Sequence, residues 1–382
     1  MIVTLSTDKL KEILDLTSRF VSRHSTLPIL ENVYIKGNID TLLFKATDME
    51  KYIELEIPAN IESEGAITVN AKMFLEIVKM IDDEQIKLIV DEDNDVITIK
   101  TSSDEFKLKW IPASEYVASP SIEDGKQFRI SSEIFLKWIE KVEYAVTEKN
   151  FAPVLTGILI RLKKEENGNK LIFVWTDSFR LAEYKVDYVD ELNEEKIDTI
   201  IPKVNIWEIT RVVKFGLDKW LESIDVIISE NLVWFKIEVE DYKIFVSSIV
   251  IQWDFPNYEN ESVIPTQFNT KVTVDAEVLE KAIKKVLTFT KAENNFVEII
   301  FQTDGAVVSS WLTDIGEGKT KIPAVVDWQE ISIGINGKYI LEFLKVVEGQ
   351  QININIVDSE RPVVFKDILD DKYTYVVRPL IK

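Results

Sequence analysis

In "VNAKMFLEIVKMI", residues 69–81, Met73, Phe74, Ile77, Val78 and Ile81 fall on one helical face. Lys72, Glu76 and Lys79 fall on the other, at offsets i, i+4 and i+7. This period predicts a short amphipathic helix. The pattern returns in "INGKYILEFLKVV", residues 335–347, with Lys338, Glu342 and Lys345 at the same offsets. It returns again in "IPKVNIWEITRVV", residues 201–213, where Glu208 and Arg211 keep the register and Val204 replaces the first lysine. The three segments start 132 and 134 residues apart. Such a spacing is too long for a solenoid and points to a triplicated domain.

Other pieces repeat in step. Each third opens with an amphipathic helix behind a Ser/Thr/Asp start signal: "STDKLKEILDLTSRFV", "SSEIFLKWIEKVEYAV" and "DAEVLEKAIKKVLTFT". Each also carries a strand running into a Thr-Asp corner, in "LLFKATDMEKYIEL", "LIFVWTDSFRLAEYKV" and "VVSSWLTDIGEGKTKI". "IKLIVDEDNDVITIKT" and "ILIRLKKEENGNKLIFVW" read as hairpins with Asn/Asp/Gly turns. Pro, Ser, Gly and Asn concentrate in residues 112–127 and 256–270, which read as linkers. The expected fold is α+β, in three similar domains at 1–122, 128–258 and 270–382, each with two helices packed on a mostly antiparallel sheet.

Composition narrows the chemistry. A chain of 382 residues is too long for one core, and its 46% apolar residues suffice to fill two or three. It has no cysteine, which removes disulfides, thiolate metal sites and cysteine nucleophiles and suits a reducing, cytoplasmic compartment. No apolar run reaches the roughly 18 to 20 residues of a membrane span, and the N-terminus does not read as a signal peptide. The single histidine, His24, excludes multi-histidine metal sites; with no nucleophile motif nearby it reads as a surface residue at a helix end. "DEDNDV", residues 91–96, has the Asp spacing of a calcium loop, but Val96 stands where that loop needs glycine, so it reads as a plain turn. The Thr-Asp corners recur in three contexts, which suits structural corners better than acid–base carboxylates. There is no glycine-rich phosphate loop. No cofactor, no metal and no catalysis are expected.

The net charge is −21. Predicted helices at 6–24, 71–81, 131–149, 202–215, 275–291 and 337–348 nevertheless hold 18 Lys and Arg against 14 Asp and Glu, while the rest holds 27 against 52. Two readings account for this. Lysine is a good helix former, or all six helices line one surface that faces a polyanion.

"RHSTLPILENVYI", "ATDMEKYIEL", "APVLTGILI", "WTDSFRLAEY", "DFPNYENESVIP" and "YVVRPLIK" follow one another in the order found in bacterial sliding clamps, the beta subunits of DNA polymerase III. The resemblance covers essentially the whole chain. It implies the DNA clamp fold and a head-to-tail dimeric ring, with helices lining the hole and sheets forming the outer wall. It also implies a non-catalytic processivity factor that encircles duplex DNA without sequence preference and tethers the polymerase. The implied partners are duplex DNA, a second copy of the chain, the polymerase III alpha subunit, the clamp loader and repair polymerases; no membrane is involved. A clamp variant dedicated to one partner, or a non-replicative three-domain scaffold, is the alternative.

Under the resemblance, the candidates for weak phosphate contact are Lys9, Lys11, Arg19, Arg23, His24, Lys72, Lys79, Lys137, Lys141, Lys149, Arg211, Lys214, Lys284, Lys285 and Lys338. A peptide pocket is implied at Leu155, Thr176, Ser178, Phe179, Arg180, Leu181, Pro256, Val263, Asn336, Tyr339, Pro362, Val376, Val377, Arg378, Pro379 and Leu380. Thr176, Leu181, Pro256, Val376 and Pro379 are expected to form its apolar cleft, with Arg180 and Arg378 at the rim. The dimer contact is implied at Phe106 and Leu108 on one side and Thr288 and Phe289 on the other. The chain departs from the family pattern in four places. Phe179 stands where histidine is common, Arg378 where an apolar residue is common, and Ala152 where an arginine often precedes the proline. "PNYENESVIP" is two residues longer than usual. The added positive charge leads to the expectation that the pocket favours acidic residues in its peptide.

Overall fold

Each third begins with a short strand, not with its helix. The strands Ile2–Ser6, Lys126–Ser131 and Thr270–Asp275 lead directly into α1 (Thr7–Thr17), α3 (Ser132–Glu143) and α5 (Ala276–Leu287). The second helices are α2 (Ala71–Lys79), α4 (Lys203–Leu217) and α6 (Gly337–Leu344), each set between runs of strands. The computed structural model describes every residue except 24, 122–124, 146–151, 190–193, 291–294, 313–315 and 381–382. The repeat is therefore strand, helix, strands, helix, strands, three times over.

Helix starts follow the capping rule. Ser6, Asn70, Asp275 and Asn336 accept a hydrogen bond from a backbone N–H in the first turn of α1, α2, α5 and α6, whereas α4 starts at Pro202 with no side-chain cap. Five of the six helices end earlier than the apolar period suggests, and α4 runs two residues further, to Leu217. α1 stops at Thr17, where the Ser18, Arg19 and Phe20 amides fold back onto Leu14, Leu16 and Thr17 carbonyls and bring Phe20 into the core. Within the observed bounds the six helices carry 13 basic and 11 acidic residues, so their excess is smaller than expected. The linkers are shorter too: residues 126–127 and 270 belong to strands.

The chain divides into two compact units, and the division cuts the middle third. One unit is residues 1–136 and 201–250; the other is 137–200 and 251–382. In the first, a 13-stranded sheet joins the first third to the end of the middle third. The joint is an antiparallel pairing of Tyr242–Ile249 with Lys51–Pro58, with Val246 opposite Ile53. α1 packs against α2, burying Leu10, Ile13, Leu14, Phe74 and Val78. A fully buried aliphatic or aromatic side chain of this kind stabilises by about 1.5–3 kcal/mol.

The second unit holds a nine-stranded and a four-stranded sheet. In the larger, Arg180–Tyr188 pairs antiparallel with Tyr373–Val377, placing Leu181 opposite Val376. α5 packs on α6. Gly337 at the first position of α6 lets it come this close, since a Cβ there would lie 3.0 Å from Leu287 Cδ2 and 3.1 Å from Ile283 Cγ2 of α5. The apolar alternation of the strands supplies both cores, as the binary pattern requires.

Candidate partner cleft and charged helix faces

Two of the Thr-Asp corners have the same hydrogen bonds. Thr47 Oγ1 accepts from Met49 N at 3.0 Å and donates to Lys51 O at 2.7 Å; Thr176 Oγ1 accepts from Ser178 N at 3.1 Å and donates to Arg180 O at 2.7 Å. The Asp48 carboxylate accepts from Glu50 N and Lys51 N, and the Asp177 carboxylate from Phe179 N and Arg180 N. Met49 and Ser178 are driven to φ +78° and +75°, a left-handed conformation that non-glycine residues rarely adopt. These are turns built by side chains, with the carboxylates used on backbone. The third corner, Thr313-Asp314, lies outside the described residues. The Asp91 carboxylate likewise accepts from Asp93 N and Asn94 N in its hairpin turn.

The second corner opens a cleft of about 680 Å³. Thr176, Ser178, Phe179, Arg180, Leu181, Val263, Pro362, Val376 and Arg378 line it, as the sequence leads one to expect. Leu181 and Val376 are almost fully buried in the floor, in a core cluster with Leu155, Val174 and Tyr258. Phe179 is 57% exposed at the mouth.

Several expected members are not in the lining. Leu155 and Val377 are buried behind it, and the Leu155 carbonyl accepts from Trp175 Nε1 at 3.0 Å. Pro256 is on the loop surface, outside the lining. Pro379 and Leu380 are led elsewhere by the Leu380 N–H, which donates to the Gly334 carbonyl at 2.9 Å. Asn336 is spent capping α6.

Arg180 is not a rim charge. It is 9% exposed; its guanidinium donates to Asp177 Oδ2 at 3.0 Å and to the Glu342 carboxylate, and lies 4.3 Å from the Tyr339 ring centroid. Burial works against its charge, but the Tyr375 hydroxyl and Glu342 more than offset this and hold the pKa above its ordinary value. Tyr339 thus acts on the cleft through Arg180.

Glu261, Ser262, Glu360 and Arg361 also line the cleft, and sequence reasoning missed all four. Glu261 and Ser262 sit on the loop of residues 256–265. That loop is tied down by Arg161, which pairs with Asp198 at 2.7 Å and Glu259 at 3.2 Å beneath the Tyr258 ring; Lys163 adds a 2.7 Å bridge to Glu259. The glutamates in "NYENES" were the available signal. Glu261 and Glu360 bring negative charge to the same lining as Arg361 and Arg378.

The helix cations differ widely in availability. Lys141 is a correction: its side chain is 4% exposed, and its ammonium donates to the Val346 carbonyl and lies 3.2 Å from Glu348 and 3.9 Å from Asp370. It cannot reach a phosphate. Lys137 is held by Glu348 at 3.0 Å and Asp370 at 3.3 Å. The hydrogen bond from Lys137 is the main reason that the Glu348 pKa is lowered. Tyr184 also donates to Asp370. Asp370→Ala would leave Lys141 buried beside a single remaining carboxylate, so it is expected to cost about 3 kcal/mol, measured by chemical denaturation against wild type.

Lys9 bridges Asp241 at 2.9 Å, Lys11 donates to the Ile81 carbonyl at 2.9 Å, and Arg19 and Lys79 share Asp15. Lys72, Arg211 and Lys284 are exposed beside helix glutamates. Arg23, Lys214, Lys285 and Lys338 are exposed and have no carboxylate partner among the described residues. His24 and Lys149 lie outside the described residues. Phe106, Leu108 and Phe289 are half-buried, and Thr288 is exposed at the end of α5. No helix among the described residues is long and apolar enough to cross a membrane.

Comparison with known proteins agrees with this geometry. Family models for the DNA polymerase III beta subunit match in order: the N-terminal domain over residues 1–120, the central domain over 129–257 and the C-terminal domain over 261–381. The beta sliding clamp of Bacillus subtilis is 27% identical over 389 aligned positions, covering 99% of this chain and 98% of that one. The beta sliding clamp of Halalkalibacterium halodurans is 27% identical, with 95% of each chain covered. The crystal structure of the B. subtilis DNA polymerase sliding clamp superposes with a TM-score of 0.90 at 25% identity, covering 100% of this chain and 99% of that one. The Thermotoga maritima DNA polymerase III beta subunit gives 0.88 at 25%, with the same coverage. Three clamp domains in order, each built of two helices on antiparallel sheet, place the chain in the DNA polymerase III beta subunit family, the bacterial DNA sliding clamps.

Proposed function

We propose that two copies of this chain join head to tail into a closed ring around duplex DNA and hold the replicative polymerase on its template. The observation that carries this reading is the thrice-repeated strand–helix unit, matched over its full length by sliding clamps. That full-length match does not favour a scaffold outside replication or a variant reserved for one partner. The ring works by topology, so it needs only weak, sequence-independent phosphate contacts; tight or sequence-specific ones would impede sliding. Arg23, Lys214, Lys285 and Lys338 are the best placed to make them, as exposed cations without a carboxylate partner among the described residues. The cleft around Leu181 takes a short peptide with apolar anchors from the polymerase alpha subunit, the clamp loader or repair polymerases, and no catalytic step is assigned to the chain. The cytoplasm is the compartment that fits such work.

The test is retention. Protein loaded onto nicked circular DNA should stay bound and should leave once the circle is cut. Binding to a short linear duplex should be weak, about 10⁻⁴ to 10⁻⁶ M, as for non-specific phosphate contacts. Tight, sequence-dependent binding to the short duplex would overturn the reading.

A further inference from the structure

The cleft has a charge pattern that its apolar floor does not call for. In register, Arg180 and Val363 both pair with Val377, so the next residue, Arg378, falls between Phe179 and Pro362. The Arg378 N–H donates to the Phe179 carbonyl at 2.8 Å, which fixes that end of the row. Beyond Pro362 the lining continues through Arg361 and Glu360, and Glu261 joins it from the anchored loop.

Of the cations here, Arg180 is neutralised by Asp177 and Glu342, and Arg361 lies 3.4 Å from Asp358. Arg378 alone has no acidic partner among the described residues. Against it stand two carboxylates. Glu360 is exposed and makes no ion pair among the described residues, and Glu261 is oriented by the Thr266 hydroxyl and by the Thr266 amide at 3.0 Å, which together with the more distant Arg361 charge hold its carboxyl below the usual range. The uncompensated charge at the mouth is therefore negative.

We infer that Glu261 and Glu360 form an acidic lip that selects a partner peptide with a lysine or arginine flanking its apolar anchors. This rests on the reading of the cleft as the peptide site and adds to it a charge preference set by this chain's own loop. Exposed charge pairs contribute modestly, so the preference is a matter of specificity more than of affinity.

The experiment uses the full chain and one labelled peptide with polar–Leu–x–Leu–Phe anchors, made in three forms flanked by lysines, glutamines or glutamates. At low salt the lysine form should bind about three- to tenfold more tightly than the glutamate form, as two weak ion pairs allow. High salt should erase the difference by screening. In Glu261→Gln/Glu360→Gln the order should vanish or invert, because Arg378 remains. Equal binding or a glutamate preference in wild type overturns the inference while leaving the cleft intact. So does a lysine preference that survives the double substitution. Failure of all three peptides to bind overturns it together with the cleft reading.

Discussion

Replacing Phe106 and Phe289 together by aspartate should convert the dimer to 44.1 kDa monomers, read by gel filtration with light scattering. Strand Glu105–Pro112 pairs along Glu105–Lys109 with Val96–Lys100, but on its other side only Trp110–Pro112 are paired. Residues 105–109 therefore present an open edge, with Phe106 and Leu108 half-buried between exposed Glu105, Lys107 and Lys109. Strand Lys319–Ile322 is the edge of the four-stranded sheet. Phe289 packs beside it, so closely that a Cβ at Gly318 would lie 2.8 Å from its ring. Open edges of this kind invite pairing with another chain. Two aromatics at about 2 kcal/mol each give about 4 kcal/mol per interface, or roughly a thousandfold in dissociation constant. Neither ring is fully buried in the single chain, so folding should survive. A double variant that remains dimeric at micromolar concentration would refute this contact.

Leu181→Asp should abolish binding of the polar–Leu–x–Leu–Phe peptide. Leu181 is 2% exposed and forms the cleft floor with Val376, where an apolar anchor would be fully desolvated. Such anchors carry at least about 2 kcal/mol each, and a buried carboxylate opposes them further. The same burial means that the substitution strains the core it shares with Leu155 and Val174. Phe179→Ala at the exposed mouth keeps the test independent of folding, and Val263→Asp on the half-buried wall adds a second probe. Val263→Asp should reduce affinity at least tenfold, and Phe179→Ala by less with thermal unfolding unchanged. Wild-type affinity in all three would move the partner site elsewhere.

The acidic lip shows why charge preference could not be read from neighbouring letters. Arg378 and the RLAEY stretch suggest a basic rim when only the local sequence is weighed. In the structure Arg180 is paired with Glu342, 162 positions away, and Glu261 and Glu360 reach the cleft from two separate loops. Lys141 is a parallel case. Its helical spacing is that of an exposed cation, yet Asp370 and Glu348 close over it.

The sequence alone determined whatever rests on contacts within one turn of helix or one hairpin. The amphipathic periods, the capping residues Ser6 and Asp275, and the two described Thr-Asp corners each depend on residues no more than four positions apart, so they were legible from the local sequence. Helix ends were less legible, because Phe20 leaves its helix to satisfy a core that the local pattern does not contain. Only the tertiary structure decided which charges remain free and how the middle third is shared between two compact units. Those outcomes depend on strand pairings such as Val246 with Ile53 and Leu181 with Val376, between residues more than 190 positions apart. Burial also changes the worth of a charge, since an ammonium removed from water must take its partner from whatever chain the fold brings to it.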